Sequence, residues 1–294
     1  MIMRFAYLIM AHHRFDVLKE LLKDLDDERN DIFLHIDKKT KNIPIAVLKG
    51  CVNKAHLEVI KPIKVYWGHS SQIQCVLNLL HSACKKGFHD YYHLLVGVEF
   101  PIASQDVIYN FFEANNGKEF VGFDNHDKSF LNRVKYYHLF GKYARSNKSF
   151  QRFLFTRGGP LVELQKKLNI DRIAKDDIVY RKGYANWSIS DELARYILNN
   201  ESFIKKRMWL TSCADEILFQ TLIYNSEYRN KIYDINDEYK SCMRLTTWKN
   251  DKNRIFLSDV DSVIKSGRLF VRKIDGDDAL SIISEIKMRR KNER

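Results

Sequence analysis

Over residues 1–125 the chain alternates short apolar runs with stretches of helical periodicity, and few architectures accept that alternation. Residues 5–10 form an apolar run that leaves through the polar His12, His13 and Arg14, and residues 17–25 then carry apolar side chains at helical spacing. Residues 32–36 (IFLHI, ending on Asp37), 57–60 and 65–67 are further strand candidates. Ser70 or Ser71 then caps a helix whose Ile73, Val76, Leu77, Leu80 and Cys84 share one face, before Gly87 closes it. Strands interleaved with helices in this way predict an α/β fold, with a mainly parallel central sheet flanked by helices. The GxGxxG turn of a dinucleotide fold and the GxxxxGK[ST] phosphate loop are both missing, which argues against dehydrogenases and P-loop enzymes.

Residues 91–104, YYHLLVGVEFPIAS, are the next strand and the most informative turn. Leu94, Leu95 and Val96 have the length of an interior strand, Gly97 lets another group approach the backbone, and Pro101 excludes a helix. Ligands bind at the carboxyl ends of strands in open α/β sheets, so Glu99, set between Gly97 and Pro101, is a candidate for the mouth of a site.

With 294 residues, 45% hydrophobic and 29% charged, the chain can bury a large core. It holds no apolar run of the roughly 18 residues a membrane span needs, and its opening MIMRFAYLIMAHH is too short for a signal peptide. Cys51, Cys75, Cys84, Cys213 and Cys242 form no CxxC pair and read as free thiols, so a cytoplasmic location is expected. The net charge of +12 and pI near 9.3 suggest an anionic partner. Residues 129–160 concentrate it: Arg133, Lys135, Lys142, Arg145, Lys148, Arg152 and Arg157 occur there without an acid, among Phe130, Tyr136, Tyr137, Phe140, Tyr143, Phe150, Phe153 and Phe155. A basic nucleic-acid-binding protein is the alternative that this charge favours, though no nucleic-acid partner is expected.

In the second half, residues 161–168 read as a helix, residues 179–182 lead into GYANWSIS, and Asp191 opens another helix. SCADEILFQTLIYNS reads as a helix with Asp215 and Glu216 in its first turn, where the helix dipole favours acids. His35 and Asp37 share a strand face, but two ligands fall short of a metal site. Asp259 and Asp261, and Asp275 and Asp277, spell DxD far from the first-half strands; they read as helix-start or loop acids, and no metal is expected.

Several of these stretches resemble the core-2/I-branching N-acetylglucosaminyltransferase family. HLLVGVEFPIAS is similar to its HLLSGxDFPIKS, FAYLIMAHHRFDVLKELLKDL to its AYxIxxHxxxxxLxRLLxxL, IFLHIDKK to YxIHxDxK, and VYWGHSSQIQCVLNLL to WGxxSxVxAxLxLL. GYANWSIS resembles GSxWWSLS, CADEILFQT resembles PDExxxxT, MRLTTW resembles LRxIxW and GRLFVRKID resembles xxLFARKF. Val96, Glu99 and Ala214 depart from the usual Ser or Cys, Asp and Pro.

The resemblance implies a GT-A-like fold, one domain over 1–294 with a nucleotide-sugar half at 1–125 and an acceptor and catalytic half at 126–294. It implies an inverting, metal-independent transferase that moves a sugar, GlcNAc or a related hexose, from a UDP-sugar to a hydroxyl of a glycan acceptor in bacterial surface polysaccharide synthesis. A xylosyltransferase-like enzyme of the same family is the alternative. Ala11, His12, His13, Asp37, Trp67 and Ser70 would hold the donor, Glu216 would be the base, and Trp187, Trp248 and Glu99 would lie on the acceptor side. Lys273 would hold the diphosphate with Arg254, or alternatively Arg244. Fixed cations suit that role because they deliver charge and donors to the leaving phosphate. The basic and aromatic residues at 129–160 suggest peripheral contact with an anionic membrane that presents a lipid-linked acceptor.

Overall fold

The computed structural model describes residues 2–145, 159–247 and 253–292. Five strands form the main sheet in the order β3-β2-β1-β4-β6: β1 (Phe5–Ala11), β2 (Asn30–Ile36), β3 (His56–Val59), β4 (Tyr91–Val96) and β6 (Ser188–Ser190). All pairings are parallel except that of β6 with β4. The expected α/β fold, with a mainly parallel sheet flanked by helices, is therefore present.

The strands read as unbroken apolar runs because both faces are covered. Alternate side chains go to opposite sides. Phe5, Tyr7 and Ile9 of β1 pack with Val17, Leu18, Leu21 and Leu22 of the helix Phe15–Asp24, and with Ile282 and Ile286 of the last helix, Ala279–Asn292. Ala6 and Leu8 pack with Ile73, Val76, Leu77 and Leu80 of the helix Ser71–Lys86, and with Trp187 and Leu218.

Three predicted details differ. Residues 65–67 form no strand, because the backbone before them is held by side chains and not by a ladder: the Ile63 N–H donates to His35 Nε2 at 3.0 Å and the Val65 N–H to Asp37 Oδ1 at 3.4 Å. Ser70 makes no side-chain cap; Ser71 Oγ instead accepts from the Tyr66 N–H at 2.9 Å. Asp215 and Glu216 lie in a 3₁₀ turn, Ala214–Glu216, ahead of a helix that starts only at Leu218.

A second sheet, β5-β8-β7, places β8 (Phe270–Arg272) antiparallel to β5 (Glu99–Pro101) and parallel to β7 (Arg244–Thr246). It carries the end of the chain back to the turn after β4. Gly97 is what lets that turn fold over β1, since a Cβ there would sit 2.9 Å from the Cβ of Ala11. Among the described residues, no helix is long and apolar enough to cross a membrane.

Candidate active site

The register Ala11↔Ile36 and Met10↔Val96 brings the carboxyl ends of β1, β2 and β4 level, and they open into a cleft of about 1420 Å³. Ala11, His12, His13 and Asp37 line it there. Asp37 accepts from the Lys39 N–H at 2.9 Å and pairs with Lys39 Nζ at 3.3 Å. The rings of His12 and His13 are 4.1 Å apart. Burial, helped by the neighbouring His13, holds His12 down near 4, and burial with Lys273 lowers His13 as well. Both are neutral hydrogen-bonding groups at physiological pH.

Trp67 lines the next part of the wall and carries the Arg145 guanidinium 4.2 Å from its ring centre. Ser70 sits behind this wall, half-buried, and does not line the cleft. Across the opening, Glu216 faces in and Asp215 faces back. Arg133 Nη1 donates to Glu216 Oε2 at 2.6 Å. Asp215 Oδ2 accepts from Gln72 at 3.0 Å, and burial beside the Glu216 charge pushes its carboxyl up to about 7. Geometry thus separates the two acids, and the one open to a substrate is Glu216.

Lys273 and Arg272, at the end of β8, supply cations. Lys273 Nζ pairs with Asp275 at 2.5 Å, and Arg272 Nη1 donates to the Tyr184 hydroxyl at 3.4 Å. Arg254 runs beside them, its neighbour Ile255 donating to the Lys273 carbonyl at 2.9 Å. Its guanidinium lies over Phe256, with Nε unpartnered, one position away from the lining Asn253. Among the described residues, no three His, Cys, Asp or Glu side chains converge as metal ligands.

Besides Ser70 and Arg254, three further expected site residues do not line the cleft. Arg244 and Glu99 are both fully buried, with Arg244 Nε 3.4 Å from Glu99 Oε1. Arg244 donates to Ser188 Oγ at 2.8 Å and to the Trp187 carbonyl at 2.9 Å, while Glu99 accepts from Asn186 Nδ2 at 2.5 Å. That network locks the two sheets together, so Arg244 is no phosphate ligand and Glu99 no acceptor ligand. Trp187 is also fully buried, edge-on to Phe219, and supports the wall from behind. Trp248 lies outside the described residues.

The cleft also holds residues that the sequence reading did not single out as site groups: Arg133, Lys182, Tyr184, Arg272, Glu238 and Tyr239. Arg272 had a signal, standing next to Lys273 in VRKID; Glu238 and Tyr239, in NDEYK, had none.

No curated protein matches the chain. Among solved structures, mouse xyloside xylosyltransferase 1 in its apo form superposes with a TM-score of 0.38 at 10% identity, over 92% of this chain and 96% of that one. The family model described as core-2/I-branching enzyme matches residues 5–266. The chain therefore belongs to the core-2/I-branching enzyme family of glycosyltransferases, with a sugar donor and a glycan acceptor as its substrates.

Proposed function

We propose that the protein transfers a sugar from a UDP-sugar to a hydroxyl of a glycan acceptor, with inversion and without a metal ion. The observation that carries this reading is the placement in one cleft of Glu216, the strand ends at Ala11, His12, His13 and Asp37, and the cations Arg272 and Lys273. In the reaction the acceptor oxygen bonds to the anomeric carbon as the bond from that carbon to the phosphate oxygen breaks. The hydroxyl proton passes to Glu216, and the electron pair leaves with UDP. Arg133 occupies Oε2 of Glu216, so Oε1 is the basic oxygen. Charge developing on the diphosphate is met by Lys273, with Arg254 as its second ligand, in place of a metal.

GlcNAc or a related hexose as the transferred unit, xylose as the alternative, and surface polysaccharide as the product belong to the same proposal. So do a single domain, a lipid-linked acceptor and peripheral membrane contact in the cytoplasm. For that contact, Arg133, Lys142 and Arg145 offer little support, since all three line the cleft, while Lys148, Arg152 and Arg157 lie outside the described residues.

The test is thermal stabilisation by a panel of UDP-sugars, followed by turnover of Glu216→Gln with the donor that works. Turnover is expected to fall by roughly two to four orders of magnitude with UDP binding retained. Near-normal turnover in that variant, or no stabilisation of the wild type by any UDP compound, overturns the reading.

A further inference from the structure

We propose that Glu238, with the ring pair Tyr184 and Tyr239, seats the acceptor sugar: the carboxylate takes hydrogen bonds from hydroxyls of a neutral pyranoside whose ring lies against the aromatic faces. The inference rests on the glycosyltransferase reading above and names the class of acceptor.

The backbone is built to put Glu238 beside Glu216. A Cβ on Gly122 would lie 2.6 Å from the Glu238 carbonyl oxygen, and one on Gly183 would run into the Gly122 carbonyl. Chain stretches far apart in sequence thus meet backbone to backbone, as only glycine allows. The Gly183 N–H donates to the Glu216 carbonyl at 2.9 Å, which ties the proposed base to the same layer. Both carboxylates line the one cleft.

Among the described residues, Glu238 is an acid lining this cleft that makes no ion pair. Glu216 is paired with Arg133 at 2.6 Å, and Asp124 with Lys182 at 3.0 Å. Among the described residues no lysine or arginine pairs with Glu238, whose carboxylate meets the Tyr184 backbone N–H. The rings of Tyr184 and Tyr239 stand 5.7 Å apart at 65°, and both line the cleft. A carboxylate next to aromatic faces matches a sugar, which presents hydroxyl donors at its edge and an apolar C–H face. Asp124, Glu216 and Glu238 together disfavour an acceptor ring that carries its own carboxylate or phosphate.

Burial and the charges of Asp124 and Glu216 push the Glu238 carboxyl up to about 7, against Lys182 and the Tyr184 N–H. The ionised form is the better acceptor, so sugar binding should strengthen as pH rises through about 7.

Methyl β-D-galactopyranoside and methyl β-D-glucopyranoside, observed by saturation-transfer NMR with UDP saturating, are the probes. The wild type should bind at least one, more tightly at about pH 8 than at about pH 6. Glu238→Gln should weaken binding by about tenfold and flatten that pH dependence, with UDP affinity unchanged to within about twofold. Tyr239→Leu, which keeps apolar volume without the ring, should also weaken probe binding and serves where Glu238→Gln does not fold. Unchanged probe affinity and pH dependence in the variants overturns the proposal, as does a wild type that binds UDP but neither probe. A wild type that does not bind UDP overturns the donor reading itself, and this inference with it.

Discussion

Arg133 Nη1 lies 2.6 Å from Glu216 Oε2 in a pair that bridges the helix Leu131–Lys135 and the 3₁₀ turn Ala214–Glu216. Glu216 is about a third exposed and Arg133 less so, which makes the pair worth more as an orienting device than as stabilisation. The arginine fixes one oxygen, and in the proposed mechanism it thereby aims the other at the incoming hydroxyl.

Arg133→Met should therefore leave the fold and UDP affinity intact while lowering turnover by about tenfold, the order expected when a reacting group loses its alignment. Steady-state kinetics with a thermal melt decide it. Turnover at the wild-type level would show that Glu216 needs no such restraint.

Glu99 and Arg244 illustrate the opposite case, a charged pair sealed from solvent on both sides. Removing one partner strands the other in a dry interior, so Glu99→Ala or Arg244→Ala should cost about 3–5 kcal/mol of stability. Urea denaturation measures this. A change below about 1 kcal/mol, the scale of an exposed pair, would contradict the buried network.

That pair also marks where sequence reading stops. Strands closed on both faces leave an apolar run, so β1, β2 and β4, and the strand ends at Ala11, Asp37 and Gly97, are legible from composition and spacing alone. Glu99 after a strand reads as a group at the mouth of a site, because the arginine that buries it comes 145 positions later, on another strand of the second sheet. Residues 65–67 fail for a related reason: the backbone leading into them is held without a ladder, the Ile63 and Val65 N–H groups donating to His35 and Asp37 from earlier in the chain. Glu216 was legible through its motif, whereas Glu238 reaches the cleft only through the contact of Gly122 and Gly183, which no local pattern encodes.

The proposed use of cations in place of a metal makes a direct prediction. With Lys273 in the cleft and Arg254 beside it, transfer should persist in excess EDTA. Lys273→Ala should weaken UDP binding by roughly 1.5–3 kcal/mol, the scale of a charged hydrogen bond. Isothermal titration and an EDTA series test both, and a strict requirement for Mn²⁺ or Mg²⁺ would overturn the cationic mechanism.

Stability should depend on pH through Glu119. Burial pushes its carboxyl up to about 7, although the Ser190 N–H and hydroxyl donate to it at 2.9 and 2.6 Å. A raised carboxyl pKa means that the folded state holds the proton more tightly than the unfolded chain. The stabilising contribution is therefore complete below about 4.5 and is lost as pH rises to about 7. Glu119→Gln, neutral throughout, should shrink the drop in stability between about pH 5 and about pH 8 by about 1–3 kcal/mol. Equal drops in variant and wild type, by urea denaturation at the two pH values, would show that the Glu119 charge is not buried in solution.

The last prediction separates cleft from membrane. Lys142 and Arg145 line the cleft with Tyr143 and Trp67, Lys142 lying 5.1 Å from the Tyr143 ring centre and Arg145 4.2 Å from that of Trp67. Cations held on aromatic faces in this part of the cleft, the proposed donor side, favour an anionic ligand there. Replacing both by glutamate should weaken UDP binding by about tenfold, through repulsion of the diphosphate, with no change in the pelleting of the protein with anionic vesicles. Reduced pelleting at low salt with UDP affinity intact would instead assign the two residues to the membrane, where each basic side chain contributes about 1 kcal/mol.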